Sequence, residues 1–410
     1  MHAKAHDTPQ VLLADADPWS RELLAQLVLH IRCDAVLHNH ADGDSALQAC
    51  RKQPFTLILA EQNLPGLNGL DLLRGVRQLK RQPPQPFILI SSRSDATTVR
   101  AALPLAPTAY LAKPFNAEDL LKRLRDLLQG DEAPVCALPA ISPGVELESF
   151  LGDARLTTEG APLFVDVQAL ASQCLSAGQC DLTLVVATFA SDPQITACLI
   201  AAANSAAQHD GEPVRTLNQA LKRLGMGASL NLALGFALKR GGQLHDPQLQ
   251  ARGERFCQQA RRSAELAREL AFMVGADAEA CYTAGLLHCL GDLAVLRSLQ
   301  DWCNAGQALG ELQITQALRE YGASFGSALR TRWRLPLEMR QLIAAAYQLG
   351  SGVFSREALV LHLATQAALL SPGSNPAVLL ESKAARLLKL DPARLHAWLE
   401  PGIAATEPPL

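Results

Sequence analysis

Aromatic residues are scarce in this sequence and its charges nearly cancel: 5% of the 410 residues are Phe, Trp or Tyr, and 37 Lys and Arg stand against 40 Asp and Glu. The net charge of −3 leaves no overall field to draw the chain to nucleic acid or an anionic membrane surface. No uncharged apolar run is long enough to span a bilayer, and the opening "MHAKAHDTPQVLLADAD" has neither an apolar signal core nor a small-residue cleavage site. These absences predict a cytoplasmic protein without membrane association. The ten cysteines form no C-x-x-C pair and no metal-like Cys/His spacing, which reads them as small buried hydrophobes in a reducing compartment. Fixed-period repeats and low-complexity tracts are also missing. What is present, 49% hydrophobic and 19% charged residues, describes a soluble globular chain long enough for two or three domains.

From Gln10 to about Gln129 short apolar runs alternate with amphipathic stretches of helical period. The runs are "VLLAD" (11–15), a weaker "CDAVLH" (33–38), "TLILAE" (56–61), "FILIS" (87–91) and "AYLA" (109–112). Continuous apolar strands are covered on both faces, so this order predicts a doubly wound α/β domain with a five-stranded parallel sheet. Its site should lie where strands end and loops begin. Residues 130–160 carry prolines, glycines and acids with little period and read as a linker, with one short helix around "VELESFLG". Beyond residue 161 the apolar spacing is helical throughout, as in "VDVQALASQCL", "ASLNLALGFALKR" and "FCQQARRSAELARELAFMVG", and predicts an all-α second part. Helix stops are expected at Asn204-Ser205, Gly225, Gly241-Gly242, Gly275 and Gly350. The expected domains are residues 10–129 and 161–400, with tails at 1–9 and 401–410.

Acids, a hydroxyl and a lysine fall at the predicted strand ends: Asp15 and Asp17 after the first strand, Glu61 after the third, Ser91 after the fourth, and Lys113-Pro114-Phe115 after the fifth. With "LPGLNG" after Glu61 and Tyr110 three residues before Lys113, this set resembles the receiver domain of bacterial response regulators, a flavodoxin-like fold. The resemblance implies an acid pair that holds Mg²⁺, an aspartate nucleophile on the third strand, a hydroxyl that reads the phosphate and a lysine that neutralises it. Two positions depart from that pattern. Ala16 stands where the second acid of the pair belongs, and Glu61 stands at the phosphoacceptor position. A hard cation that demands octahedral oxygen geometry loses a ligand at Ala16, and phosphoryl transfer loses its charge neutraliser with it. Glu61 then reads either as a partial imitation of a phosphorylated aspartate or as the ion-pair partner of Lys113 in a decayed site.

The stretches "SDPQITACLIAAANSA" (191–206), "VRTLNQALKRLGMGASLNLALGFAL" (214–238), "GLLHCLGDLAVL" (285–296) and "RWRLPLEMRQLI" (332–343) resemble, in this order, the HDOD domain, a helical relative of HD-type phosphohydrolases. The resemblance implies metal-ligand positions at Gln259, His288 and Cys289. One histidine cannot hold a catalytic metal, so these positions read as vestigial and the metal expectation is none. Arg330, Arg332 and Arg334 around Trp333, and Arg255, Arg261, Arg262 and Arg268 among interleaved glutamates, form no basic recognition helix.

Taken together, the sequence predicts a bacterial signal-transduction protein: a degenerate receiver joined to a non-catalytic HDOD output domain, with no cofactor. The resemblance implies partners among histidine-kinase or second-messenger signalling proteins, with homodimerisation left open. The receiver residues would bias the face of its fourth and fifth helices. Two alternatives stand: a metal-dependent HD-type phosphohydrolase of cyclic or mononucleotides, and a phosphorylation-controlled response regulator.

Overall fold

A computed structural model describes residues 8–91, 100–113, 117–128, 141, 144–158, 160–167, 169–170, 182–205, 211–238, 243–349, 354–370, 377–391, 393–396 and 398–399. Pro114, Phe115, Gly241, Gly242, Gly350 and most of "VDVQALASQCL" lie outside these residues, as does the segment 92–99 that would begin the fourth receiver helix.

Five strands form one parallel sheet: β1 (Gln10–Ala14), β2 (Val36–His40), β3 (Leu57–Glu61), β4 (Phe87–Ser91) and β5 (Ala109–Ala112), in the order β2-β1-β3-β4-β5. Side chains alternate between two covered faces, as the apolar runs require. Leu12, Ala14, Ile58, Ala60, Phe87 and Leu89 pack with Ala46 and Cys50 of helix α2 (Gly43–Lys52) and Leu72, Leu73 and Val76 of α3 (Gly69–Gln78). On the other face lie α1 (Pro18–Ile31) and the helix Ala117–Leu128, joined where Arg32 donates to the Leu128 carbonyl at 2.9 Å. The second strand starts later than expected. Residues 33–35 are spent turning out of α1, and β2 is a sheet-edge strand whose His38, Asn39 and His40 dilute the apolar signal.

From Leu147–Thr157, which lies within the expected linker at "VELESFLG", to Lys383–Leu388 the described elements are all helical. The longest, Pro247–Val274, begins with Asp246 accepting from the Gln248 and Leu249 N–H groups. It ends at Gly275, whose φ of +68° places it in the left-handed region a side chain avoids. No single helix among the described residues is long and apolar enough to cross a membrane. Cys50, Cys198, Cys257, Cys281 and Cys289 are buried free thiols, as expected, whereas Cys33 departs from that expectation in being disulfide-bonded.

Contacts divide the chain into two units, and the division does not follow chain order. The first holds Met1–Ala137 together with Ser205–His209 and Leu224–Arg240; the second holds Leu138–Asn204, Asp210–Arg223 and Gly241–Leu410. The helix Met226–Leu238 therefore packs with the sheet-bearing unit, against α1.

Candidate functional site

The C-terminal ends of β1, β3 and β5 bring three charged side chains together. Lys113 is set at the end of β5 by its own N–H, which donates to the Ser91 carbonyl at 2.6 Å across the β4–β5 ladder. Its ammonium crosses β4 to reach Glu61 Oε1 at 3.1 Å and Asp15 Oδ2 at 2.8 Å. Asp15 is fully buried and Glu61 nearly so, their side chains being 0% and 13% exposed. Two carboxylates thus share one ammonium in a poorly solvated place. Burial, followed by the Asp15 charge, pushes Glu61 up to about 7. Burial alone would lower Lys113, but the carboxylates of Asp15 and Glu61 outweigh it and hold its ammonium above its ordinary value.

The remaining receiver positions are placed around this triad. Asp17 caps α1: its carboxylate accepts from the Trp19 and Ser20 N–H groups at 3.4 and 3.2 Å, and its own N–H donates to Asp15 Oδ1 at 2.9 Å. Burial and the Asp15 charge raise its pKa. Ala16 offers only a carbonyl, which with that of Asp15 accepts from the Arg21 guanidinium. Ser91 closes β4 and is fully buried. Tyr110 packs half-buried against the core on the α2 and α3 side. The "LPGLNG" turn runs through Gly66, with φ at +69°, and a Cβ there would collide with the Asp44 carboxylate.

In the helical half, His288 follows the helix Ala278–Leu287, and its ring Nδ1 meets the Gly285 carbonyl at 2.6 Å. Burial lowers its pKa. Cys289 is buried, and Gln259 lies half-buried on Pro247–Val274. Among the described residues no three His, Cys, Asp or Glu side chains gather as a metal would need. The basic cluster at Trp333 is dispersed by packing. Arg330 is buried, while Arg332 is spent on the carbonyls of Leu156, Thr157 and Thr158.

Sequence reasoning missed one polar group here. Tyr347 donates its hydroxyl to the His288 carbonyl and lies 3.4 Å from Asp292 Oδ2. Burial pushes Asp292 up to about 6. Asp292 lies in the first turn of the helix Leu290–Asn304, which follows directly on His288 and Cys289, and an acid that close to them in sequence was the signal available for it. A cleft of about 870 Å³ opens elsewhere in this unit, with Met339, Leu342 and Phe354 as apolar lining and Arg215, Asp277 and Glu357 as charged lining.

A five-stranded parallel sheet with acids and a lysine at its strand ends, followed by a helical region, is the arrangement expected of a receiver domain joined to a second, helical domain. The family comparisons agree. Residues 11–125 match the response regulator receiver domain and residues 161–349 match the HDOD domain, so the chain carries one of each. The response regulator ArlR of Staphylococcus aureus (strain Mu50) is 35% identical over 88 residues, which are 22% of this chain and 39% of that protein. The chain thus spans about two fifths of the length of such relatives. Among solved structures, the chemotaxis response regulator CheY4 of Vibrio cholerae is 25% identical, with 30% of this chain and 99% of that one covered and a TM-score of 0.27. The signal receiver domain of an HD domain-containing protein from Pseudomonas fluorescens Pf-5 is 28% identical, with 30% and 94% covered and a TM-score of 0.27.

Proposed function

We propose that this chain is a non-catalytic signalling regulator whose receiver works without phosphorylation and whose helical half acts by binding a partner protein. The observation that carries this reading is the Lys113 ammonium, held at 2.8 and 3.1 Å by Asp15 and Glu61. The cation that would receive a phosphoryl group already has two anions, one of them at the phosphoacceptor position. Receiver chemistry in the wider family implies Mg²⁺, and the donors here do not fit it. Asp15 is engaged by Lys113, Asp17 is committed to capping α1, and Ala16 supplies no carboxylate. Glu61 is also a poor fixed imitation of a phosphate. Its carboxyl, pushed to about 7, carries at neutral pH only part of the single charge that would have to stand for a phosphate's roughly two.

In the helical half, the Gly285 carbonyl at the His288 ring and the Gln259 and Cys289 positions support recognition over hydrolysis. Partners would be signalling proteins of histidine-kinase or second-messenger networks, or a second copy of the chain. The test is incubation of the full-length protein with a small acyl phosphate and Mg²⁺, read by intact mass. No mass gain is expected, and one phosphoryl group localised to Glu61 would overturn the reading. Elemental analysis should find no stoichiometric metal. Glu61→Gln and Glu61→Asp should each shift oligomeric state or partner affinity, whereas identical behaviour of all three forms would reduce the receiver to a scaffold.

A further inference from the structure

The first helix of the sheet unit is buried more widely than a helix lying on a sheet needs to be. Six consecutive residues of α1, Leu23 to Val28, are buried, Gln26 among them. Leu24, Leu27 and Val28 are the stripe that faces the sheet by helical period. Trp19 and Leu23, four residues apart, begin a second stripe, and their cover is the helix Met226–Leu238. The Trp19 and Phe236 rings meet edge to face at 5.9 Å between centroids. Gly235 lets the two backbones close up, since a Cβ there would lie 2.7 Å from Leu23 Cδ1 and 3.6 Å from Leu23 Cβ. The covering helix, "MGASLNLALGFAL", has no charged residue, and Leu232 to Phe236 are all buried. It suits an apolar face and has no amphipathic preference of its own.

The same end of α1 is tied to the charged triad by hydrogen bonds at every step. Lys113 bonds Glu61 and Asp15, and Asp15 Oδ1 accepts the Asp17 N–H at 2.9 Å. Asp17 in turn holds the Trp19 and Ser20 N–H groups, and Arg21 fastens the first turn to the Asp15 and Ala16 carbonyls. A change in how Asp15 is shared between Lys113 and the Asp17 N–H therefore acts on the cap that sets the position of Trp19, and Trp19 touches Phe236.

We propose that the outer face of α1 is the output surface of this receiver, with the helix Met226–Leu238 as its intramolecular partner, read through Glu61, Lys113, Asp15 and Asp17. This deepens the function proposed above and rests on Glu61 being the control point. It moves the route away from the fourth and fifth receiver helices. The helix Met226–Leu238 is joined without a long linker to Leu217–Leu224, across Gly225 alone, so whatever loosens it from α1 pulls on the chain of the second unit.

The test is a disulfide trap in the full-length protein, Leu23→Cys with Gly235→Cys. The separation of 3.6 Å between the two Cβ positions is within the span a disulfide bridges, and the cysteine at 23 removes the Cδ1 atom that would clash. Diamide oxidation followed by peptide mapping should find the 23–235 link, set apart from the native cysteines by mass. Placing Glu61→Gln in the same background should change the rate of linkage by about 2- to 30-fold, the range a coupling of this kind produces. Absence of the link, with both single-cysteine variants folded by circular dichroism, overturns the proposal. So does a link that forms at one rate in Glu61, Glu61→Gln and Glu61→Asp backgrounds. If Glu61→Gln still shifts oligomeric state in that last case, the function proposed above survives and only the α1 route fails. A ¹⁹F signal from fluorotryptophan at Trp19, assigned with Trp19→Phe, gives the second reading: Phe236→Ala must move it, and an unmoved signal also overturns the proposal.

Discussion

Replacing Glu61 with glutamine should stabilise the receiver sheet at alkaline pH, although it removes one partner of an ion pair. The reason is that Glu61 is ionised against its preference. Its carboxyl is pushed from 4.5 to about 7 by burial and by Asp15, a rise worth up to about 3 kcal/mol in favour of the protonated form. For a carboxyl raised in the folded state the stabilisation is complete below 4.5, the unfolded value, and is lost as pH climbs through 7. Glutamine keeps the shape and hydrogen-bonding reach of the protonated acid and does not ionise. Hydrogen exchange of the β1 and β3 amides reads this locally in the full-length protein. At pH 8 these amides should exchange more slowly in Glu61→Gln than in the wild type, by up to about 300-fold. At pH 5 the gap should close to about fourfold, because the folded wild type is then protonated while its unfolded chain is mostly ionised. Faster exchange in Glu61→Gln at pH 8, or a gap that does not shrink at pH 5, would refute the charge-sharing picture of the triad.

Removing the cation instead should do the opposite. Lys113→Met leaves Asp15 and Glu61 facing each other and should cost about 3 kcal/mol in urea unfolding at pH 8, the low end for breaking a buried pair because Lys113 is partly exposed; adding Glu61→Gln to it should recover part of that loss. Tyr347→Phe removes the hydroxyl that helps Asp292 stay ionised, so the Asp292 carboxyl, already pushed up to about 6 by burial, should titrate higher in the variant than in the wild type when both are followed by ¹³C NMR. The stability that Asp292 contributes is complete below 3.8 and fades as pH rises through 6, and the variant should extend it to higher pH. Gly291→Ala places a Cβ 2.0 Å from the Gly322 carbonyl oxygen and 2.6 Å from the Gly326 nitrogen, where backbone must move. Thermal unfolding should show a loss of about 1–3 kcal/mol, typical of overpacking at a close helix contact.

The two halves of the chain were legible to different depths. Strands such as "TLILAE" and "FILIS" announce themselves because a parallel sheet covered on both faces needs unbroken apolar runs, and helix stops at Asn204, Gly225 and Gly275 because helix ends need particular backbone. The edge strand β2 was misplaced, since an edge tolerates the polar residues that blur the pattern. The site positions Asp15, Glu61 and Lys113 could be named from their places at strand ends. Their mutual distances, and so the sharing of one ammonium by two carboxylates, could not, because they come from β1, β3 and β5, which are separated by about fifty residues each.

Local pattern by itself decided which of the described segments are strand and helix, where several of them stop, and that Asp15, Ala16, Glu61, Ser91 and Lys113 fall at strand ends. Periodicity can record that a helix such as Met226–Leu238 is apolar all round, but it carries no information about which distant surface will cover it. Packing of that helix on α1 was settled only by the tertiary structure, as were the Tyr347–Asp292 contact and the upward push on Glu61. Each depends on burial and on contacts between residues far apart in the chain, and a linear pattern cannot encode how much water is left around a charge.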